Sequence, residues 1–355
     1  MSQPVEVQRV SRRRVRFRSS YLLIPLALLV LVLGILELIP ANVYVFLPGQ
    51  ALSVAPMIGV SGHPSRPKPG KLLLTDVSLY KANHLLEKIW GELQPGSDTV
   101  PASVVAGGLS ESQYNQFNAQ LMTDSAQAAE VAALYRVPGL HPRLNPLGPE
   151  IASVYPGLPS AKVLRVGDIL VAANGVRVHA INDLLRVMKH VRPGSVVMLR
   201  LQRQGHQFVA PVRTVGSTNG VPTKGGKRAL IGIGLSPLYI LPIKVRVDPG
   251  NIGGPSAGLM FALGIIQRLV PQDIAHGCTI AGTGTIDFSG SVGPIGGAKQ
   301  KVIAASNAGA KYFFVPDTPD NVGPAMTNRG SVTVVPVKSL DQALAYLKRV
   351  KPCRS

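Results

Sequence analysis

Gly253-Gly254-Pro255-Ser256-Ala257-Gly258 runs straight into the apolar stretch Leu259-Met-Phe-Ala-Leu-Gly-Ile-Ile-Gln-Arg-Leu-Val270, a turn that opens directly into a buried helix. Proline suits the first position of a helix, where its missing N–H is an orphan in any case, and glycine suits the turn before it. A helix starting near Pro255 leaves unsatisfied backbone N–H groups around Ser256, the surroundings an oxyanion needs. Ser256 serves equally well as a plain N-cap, so this stretch alone leaves nucleophile and cap both open.

Gly254 to Gly258 also satisfies G-x-S-x-G, the turn that carries the serine of α/β-hydrolases. That reading needs an acid and then a histidine downstream. The only histidine after Ser256 is His276, with Asp273 shortly before it, and both fall in the loop that follows the same helix. An esterase triad is therefore disfavoured, and another base is required. Lysine can serve when burial keeps its amine neutral. Downstream, Gly293-Pro-Ile-Gly-Gly-Ala-Lys299-Gln-Lys301-Val302 reads as a turn feeding a helix closed by Gly309. Two positions on a helix are roughly 200° apart, so at most one of Lys299 and Lys301 can reach Ser256. Lys301 shares its stripe with Ala298, Ala305 and Ala308, which permit close packing; two solvated surface lysines are the alternative.

Upstream, residues 146–216 form a β-rich unit. A strand over Glu150–Tyr155 is followed by Gly167-Asp168-Ile169-Leu-Val171, a tight turn at Asn174-Gly175, a helix from Ile181 to Val191, and two strands joined through Gln204-Gly205. Residues 217–228 are polar and Gly-rich and read as a linker. They lack the glycine and Ser/Thr positions of a P-loop, and no other segment supplies that motif.

The first twenty residues crowd Arg9, Arg12, Arg13, Arg14, Arg16 and Arg18 against Glu6, ahead of the apolar run Tyr21–Ile39. As a helix that run reaches roughly 28 Å, close to the bilayer's hydrocarbon thickness. Arginine-rich flanks stay cytoplasmic, which places the rest of the chain outside. A cleaved signal peptide is the competing reading, but its apolar core is usually shorter and no A-x-A-like site follows. With this asymmetry the formal charge of +19 does not argue for nucleic acid, and aromatic residues are only 5%, too few for a base-stacking platform. Hydrophobic residues at 46% exclude global disorder. Cys278 and Cys353 cannot form a disulfide scaffold and are expected to be free thiols. His63, His84 and His141 stand alone, without a second ligand at metal spacing. The stretch 41–145 shows apolar, strand-like residues Leu72–Leu79 and a helix over Ala126–Tyr135, but no chemistry.

Two resemblances sharpen this picture. "GDILVAANG", the following helix and "PGSVVMLRLQRQG" resemble a PDZ domain, which implies binding of extended peptide ends by strand addition. It places a carboxylate loop at Leu147-Gly148 and a groove at Leu184, Leu185 and Met188. "GGPSAG" with "AGTGTIDFSGSVGPIGGAKQK" resembles the proteolytic domain of Lon proteases. Carried onto this chain, the resemblance implies a Ser256–Lys301 dyad with Thr283 near the lysine and Gly254 and Pro255 shaping the turn. Gly253 departs from the Asp usual there.

Together the chain resembles the bacterial membrane-anchored, PDZ-containing Lon-like serine proteases of the YlbL type. The implied fold is an α/β (α+β) multidomain chain. Its divisions are a basic cytoplasmic tail (1–20), a transmembrane anchor (21–40), a juxtamembrane region (41–145), a PDZ domain (146–216), a linker (217–228) and a Lon-like proteolytic domain (229–350). The implied function is an ATP-independent serine endopeptidase of extracytoplasmic proteins; a non-catalytic membrane adaptor is the alternative. Neither a cofactor nor a metal is implied. Expected partners are protein or peptide substrates and the lipid bilayer through residues 21–40, not nucleic acid, with a homo-oligomer left open.

Overall fold

The computed structural model of the protein describes residues 20–64, 66–107, 110–218, 221–222, 225–250 and 252–353. The basic tail lies outside the described residues. In chain order the main elements are α1 (Ser20–Leu38), β1 (Pro40–Ser53), β2 (Lys71–His84), α2 (Leu85–Glu92), β3 (Asp98–Pro101), α3 (Glu111–Leu134), β4 (Glu150–Val154), β5 (Ile169–Ala173), α4 (Ile181–Met188), β6 (Val196–Arg203), β7 (His206–Arg213), β8 (Ile233–Ser236), α5 (Gly258–Leu269), β9 (Thr279–Gly282), α6 (Ala298–Asn307), β10 (Tyr312–Pro316), α7 (Pro319–Thr327), β11 (Thr333–Val337) and α8 (Leu340–Leu347).

Strand side chains alternate between faces, and the alternation here separates two cores. Leu72, Leu74, Ile280, Phe314 and Val335 face one core with α3, α5 and α8. Their neighbours Leu73, Ala281, Phe313 and Val334 face another with α6 and α7. The sheet between them runs β11-β10-β9-β2-β1-β3, parallel from β11 to β2 and antiparallel beyond. Ala128, Ala129, Ala132 and Ala133 let α3 lie close against α5. The helix begins well before Ala126, because Ser110 and Gln113 cap each other reciprocally at its start.

This topology changes the expected division of the chain. The stretch 41–145 is no separate juxtamembrane region, since β1, β2 and β3 are half of the proteolytic sheet. The partner of β2 is β9, on the far side of the PDZ unit, and a pairing that distant leaves no local mark in sequence. The PDZ unit is an insertion, entered and left through a neck in which Arg143–Leu144 pairs antiparallel with Tyr239–Ile240. Its sheet runs β7-β6-β5-β4-β8. Inside it the buried Asp168 accepts from Arg203 Nε at 2.6 Å and Nη2 at 2.8 Å, tying the turn before β5 to the end of β6.

The apolar side chains of α1 from Ile24 to Leu33 are largely exposed. Among the described residues no helix is long and apolar enough to cross a membrane; the side chains of residues 20–23 are outside that set.

Cys278 and Cys353 are disulfide-bonded, not free. The tail after α8 turns back along the loop before β9, where Cys353 N–H donates to His276 O at 3.0 Å. Only the closed fold brings the two sulfurs together. The bridge closes a loop of 75 residues, for which chain entropy gives on the order of 4 kcal/mol. Replacing both cysteines by serine should therefore cost about 2–4 kcal/mol, read as a lower urea midpoint with a steeper slope as the released chain expands when unfolded. An unmoved midpoint would show that the bridge does not stabilise the fold.

Candidate active site

Thr283 follows the last residue of β9, and the helices on the two faces of the sheet meet past this strand end. Ser256 comes from the α5 side and Lys301 from α6. Lys301 Nζ lies 2.6 Å from Ser256 Oγ and donates to Thr283 Oγ1 at 3.1 Å. Thr283 Oγ1 in turn donates to Ser256 O at 3.0 Å, and Gly284 N–H donates to the same carbonyl at 2.7 Å. The threonine hydroxyl proton is thus committed to Ser256 O, and an amine N–H is committed to the threonine oxygen. A neutral amine held in this way can turn its lone pair toward Ser256 Oγ.

The nucleophile turn is held from α3. Gly254 has φ of 80°, a left-handed conformation that favours glycine, and its N–H donates to Asn118 O at 3.0 Å. Ser125 Oγ donates to Pro255 O at 2.7 Å. Pro255–Ala257 forms one 3₁₀ turn, and α5 proper starts at Gly258, where a Cβ would meet Ser125 Oγ at 2.4 Å. Gly253 has only Asn118 Cβ near its missing side chain, at 3.4 Å.

Lys301 is 4% exposed. Burial pulls its amine down to about 7, and the Asp76 carboxylate pushes the other way. Lys299 points elsewhere, donating to Asp98 Oδ1 at 2.9 Å and Ser97 O at 3.0 Å. The turn before α6 is fixed by Asn321 of α7, whose amide accepts from Ile295 N–H at 3.0 Å and donates to Ile295 O at 2.7 Å.

The dyad opens into a cleft of about 1000 Å³ with apolar walls from Phe46, Leu52, Leu79, Tyr114, Ile252 and Ile295. Asp76 and Lys301 are its charged groups among the described residues. Asp76 Oδ1 accepts the Gln50 N–H, and the approach requires Gly49, whose Cβ would strike Asp76. Asp76, Asn118 and Ser125 all belong to the stretch 41–145, which shows no chemistry as sequence; no motif marks them.

The expected peptide-binding residues do not form a groove. Strand β4 is flanked by β5 on one edge and β8 on the other, so no peptide can add to it. Gly148 packs so closely that a Cβ would meet Leu170 O at 2.1 Å and Val178 O at 2.6 Å, and Leu147 is pinned by Asn145 Oδ1. Leu184 is 5% exposed in the core, Met188 packs against that core, and Leu185 alone is open, at 59%. The sheet has two end strands, β7 and β8, and the one beside β4 is β8. It lies beyond the polar 217–228 stretch, where composition suggests that the unit has ended.

Among the described residues, Glu37, His84 and Glu87 bring possible metal-ligand atoms within 4.8 Å of one another. Glu87 Oε2 is already occupied by the N–H groups of Asn83 and His84.

The fold and the site define a serine peptidase domain built on a Ser–Lys pair. Residues 241–348 match the model of the Lon protease (S16) C-terminal proteolytic domain, and residues 150–203 match a PDZ domain model. The Lon protease of Metamycoplasma arthritidis is 36% identical over 119 residues, 31% of this chain and 13% of that protein. Lon protease 2 of Thermus thermophilus is 36% identical over 123 residues, 33% of this chain and 15% of that protein. The chain thus spans a small part of the length of these curated relatives. The solved PDZ domain of an SdrC-like protein from Listeria monocytogenes is 18% identical and covers 26% of this chain and 92% of that one, with a TM-score of 0.23. The chain carries a Lon-type proteolytic domain, a serine protease domain with a Ser–Lys dyad, together with a PDZ domain.

A base that must be neutral gains competence as pH rises, so hydrolysis should climb through a midpoint near 7, the pKa of Lys301. Asp76→Asn removes the charge that raises this pKa, and the midpoint of the kcat/KM profile should move to lower pH. A shift to higher pH would contradict the role given to Asp76.

Proposed function

We propose that this protein is an ATP-independent, membrane-anchored serine endopeptidase that hydrolyses peptide bonds of extracytoplasmic proteins, with the PDZ domain engaging substrate ends. The observation that carries the chemistry is the buried Lys301 Nζ at 2.6 Å from Ser256 Oγ. Ser256 Oγ attacks the scissile carbonyl carbon as its proton passes to neutral Lys301. Backbone N–H groups at the turn around Ser256 would hold the oxyanion. The lysine ammonium then gives its proton to the leaving amine, the C–N bond breaks, and an acyl-serine remains. Water attacks the ester, its proton passing to Lys301 and on to Ser256 Oγ as the new carboxyl end departs.

Support for the location comes from two sides. The 19 residues of α1 reach roughly 28 Å, and the flanking arginines favour a cytoplasmic start. The Cys278–Cys353 bridge suits an oxidising compartment. Independence from ATP is supported by the lack of a P-loop motif in this sequence. For the PDZ domain, the free edge of β8 supports strand addition there.

Ser256→Ala and Lys301→Ala should each lower turnover of an unfolded protein substrate by about 10⁴-fold or more, because members of a dyad act as a unit. Lys299→Ala should keep most activity. A folded Lys301→Ala enzyme that still cleaves would overturn the assignment. Excising residues 146–236 above the Arg143–Ile240 neck should impair cleavage of whole proteins more than of short peptides, since remote binding positions substrate. Equal losses on both would make the PDZ domain a structural insertion only.

A further inference from the structure

Leu86, Ile89, Trp90 and Leu93 recur at the spacing of one helix face, yet this face of α2 does not point into the protein. Ile89 is 36% exposed, Trp90 57% and Leu93 76%. The side of α2 that packs is marked by Gly91, where a Cβ would meet Tyr80 Oη at 2.5 Å and the Val45 methyls at 2.7 and 2.8 Å. A glycine on the inside and an apolar stripe with the chain's single tryptophan on the outside invert the usual arrangement of a surface helix.

The position of this stripe identifies what it meets. Helix α2 begins where α1 ends: Leu85 N–H donates to Ile39 O at 2.8 Å, and His84 Nδ1 lies 3.5 Å from Glu37 Oε1. Exposed Leu38 and Ile39 continue the apolar surface of α1 up to this junction. Tyr80 stands beside Trp90, with ring centroids 6.4 Å apart. Lys88 and Glu92 form an ion pair across one turn of the helix. An aromatic pair and aliphatic side chains at the end of an apolar helix, with charges on the other positions, match the interfacial zone of a bilayer.

We propose that α2 lies in the outer membrane–water interface with Ile89, Trp90 and Leu93 inserted among the lipid headgroups, so that α1 and α2 hold the proteolytic domain at two points. The proposal rests on the reading of α1 as a membrane anchor. Because β1 and β2 connect both helices directly to the cleft through Phe46 and Asp76, this second contact sets the height and tilt of the cleft over the bilayer.

The test uses the full chain reconstituted in phosphatidylcholine–phosphatidylglycerol vesicles, where all tryptophan emission comes from Trp90. Lipid brominated high on the acyl chain should quench that emission by about half or more, and more than lipid brominated near the chain end. Leu93→Glu should reduce the quenching and raise sensitivity to aqueous acrylamide. A chain that floats with the vesicles but whose Trp90 ignores brominated lipid overturns the proposal and leaves the anchor standing. Shielding from acrylamide without quenching by lipid means that a protein surface, such as a second copy, covers α2, and also overturns it. A chain that does not float with the vesicles overturns the anchor reading and this inference with it.

Discussion

Keeping a lysine amine in the protein interior is the constraint on which the rest of this site depends. A buried ammonium with no carboxylate against it is costly, and the cost is avoided when the amine gives up its proton. Lys301 therefore gains its basicity from the same packing that makes it difficult to accommodate. The fold meets this by placing the residue at the seam between two helical layers, past the end of β9, where small residues such as Ala298 and Ala305 leave room. Thr283 supplies an acceptor without adding charge. Asp76, which lines the same cleft, moderates the effect by favouring the charged amine.

The architecture around the dyad joins parts that are distant along the chain. Strands β1 and β2 supply one wall of the cleft, α3 pins the serine turn, and β9 to β11 with α5 to α8 supply the reacting groups. The PDZ unit stands on a two-stranded neck between these two contributions. Its end strand β8 lies on the return path of the chain toward Ser256.

Much of this was legible in the residues. The Pro-Ser-Ala-Gly junction, the lysine two positions past Lys299 and the small-residue stripe around it are local patterns; helix geometry shows that at most one of the two lysines reaches Ser256, and the stripe with the family resemblance selects Lys301. The apolar strand at Leu72–Leu79 was visible too, but not that it pairs in parallel with β9, because long-range register leaves no local trace. Asn118, Ser125 and Asn321 act through backbone contacts that common polar residues make anywhere, so nothing in their neighbourhoods marks them. The last strand of the PDZ sheet, β8, leaves no mark in sequence for a different reason. A polar, Gly-rich stretch looks like the end of a domain, whereas here Val215–Thr218 pairs antiparallel with Val221–Pro222 and Arg228–Leu230, after which the chain returns to complete the PDZ sheet. The disulfide was missed because pairing depends on the path of the tail after α8.

The claim at the centre of this account is that Ser256 is a nucleophile activated by an uncharged Lys301. Intact-mass and peptide mapping after exposure to a fluorophosphonate, which phosphonylates an activated serine oxygen with loss of fluoride, tests it most directly. A single adduct on Ser256, whose rate of formation rises with a midpoint near pH 7 and vanishes in Lys301→Ala, is the predicted result. An adduct on another residue, or labelling of Ser256 that is unchanged when Lys301 is replaced, would contradict it.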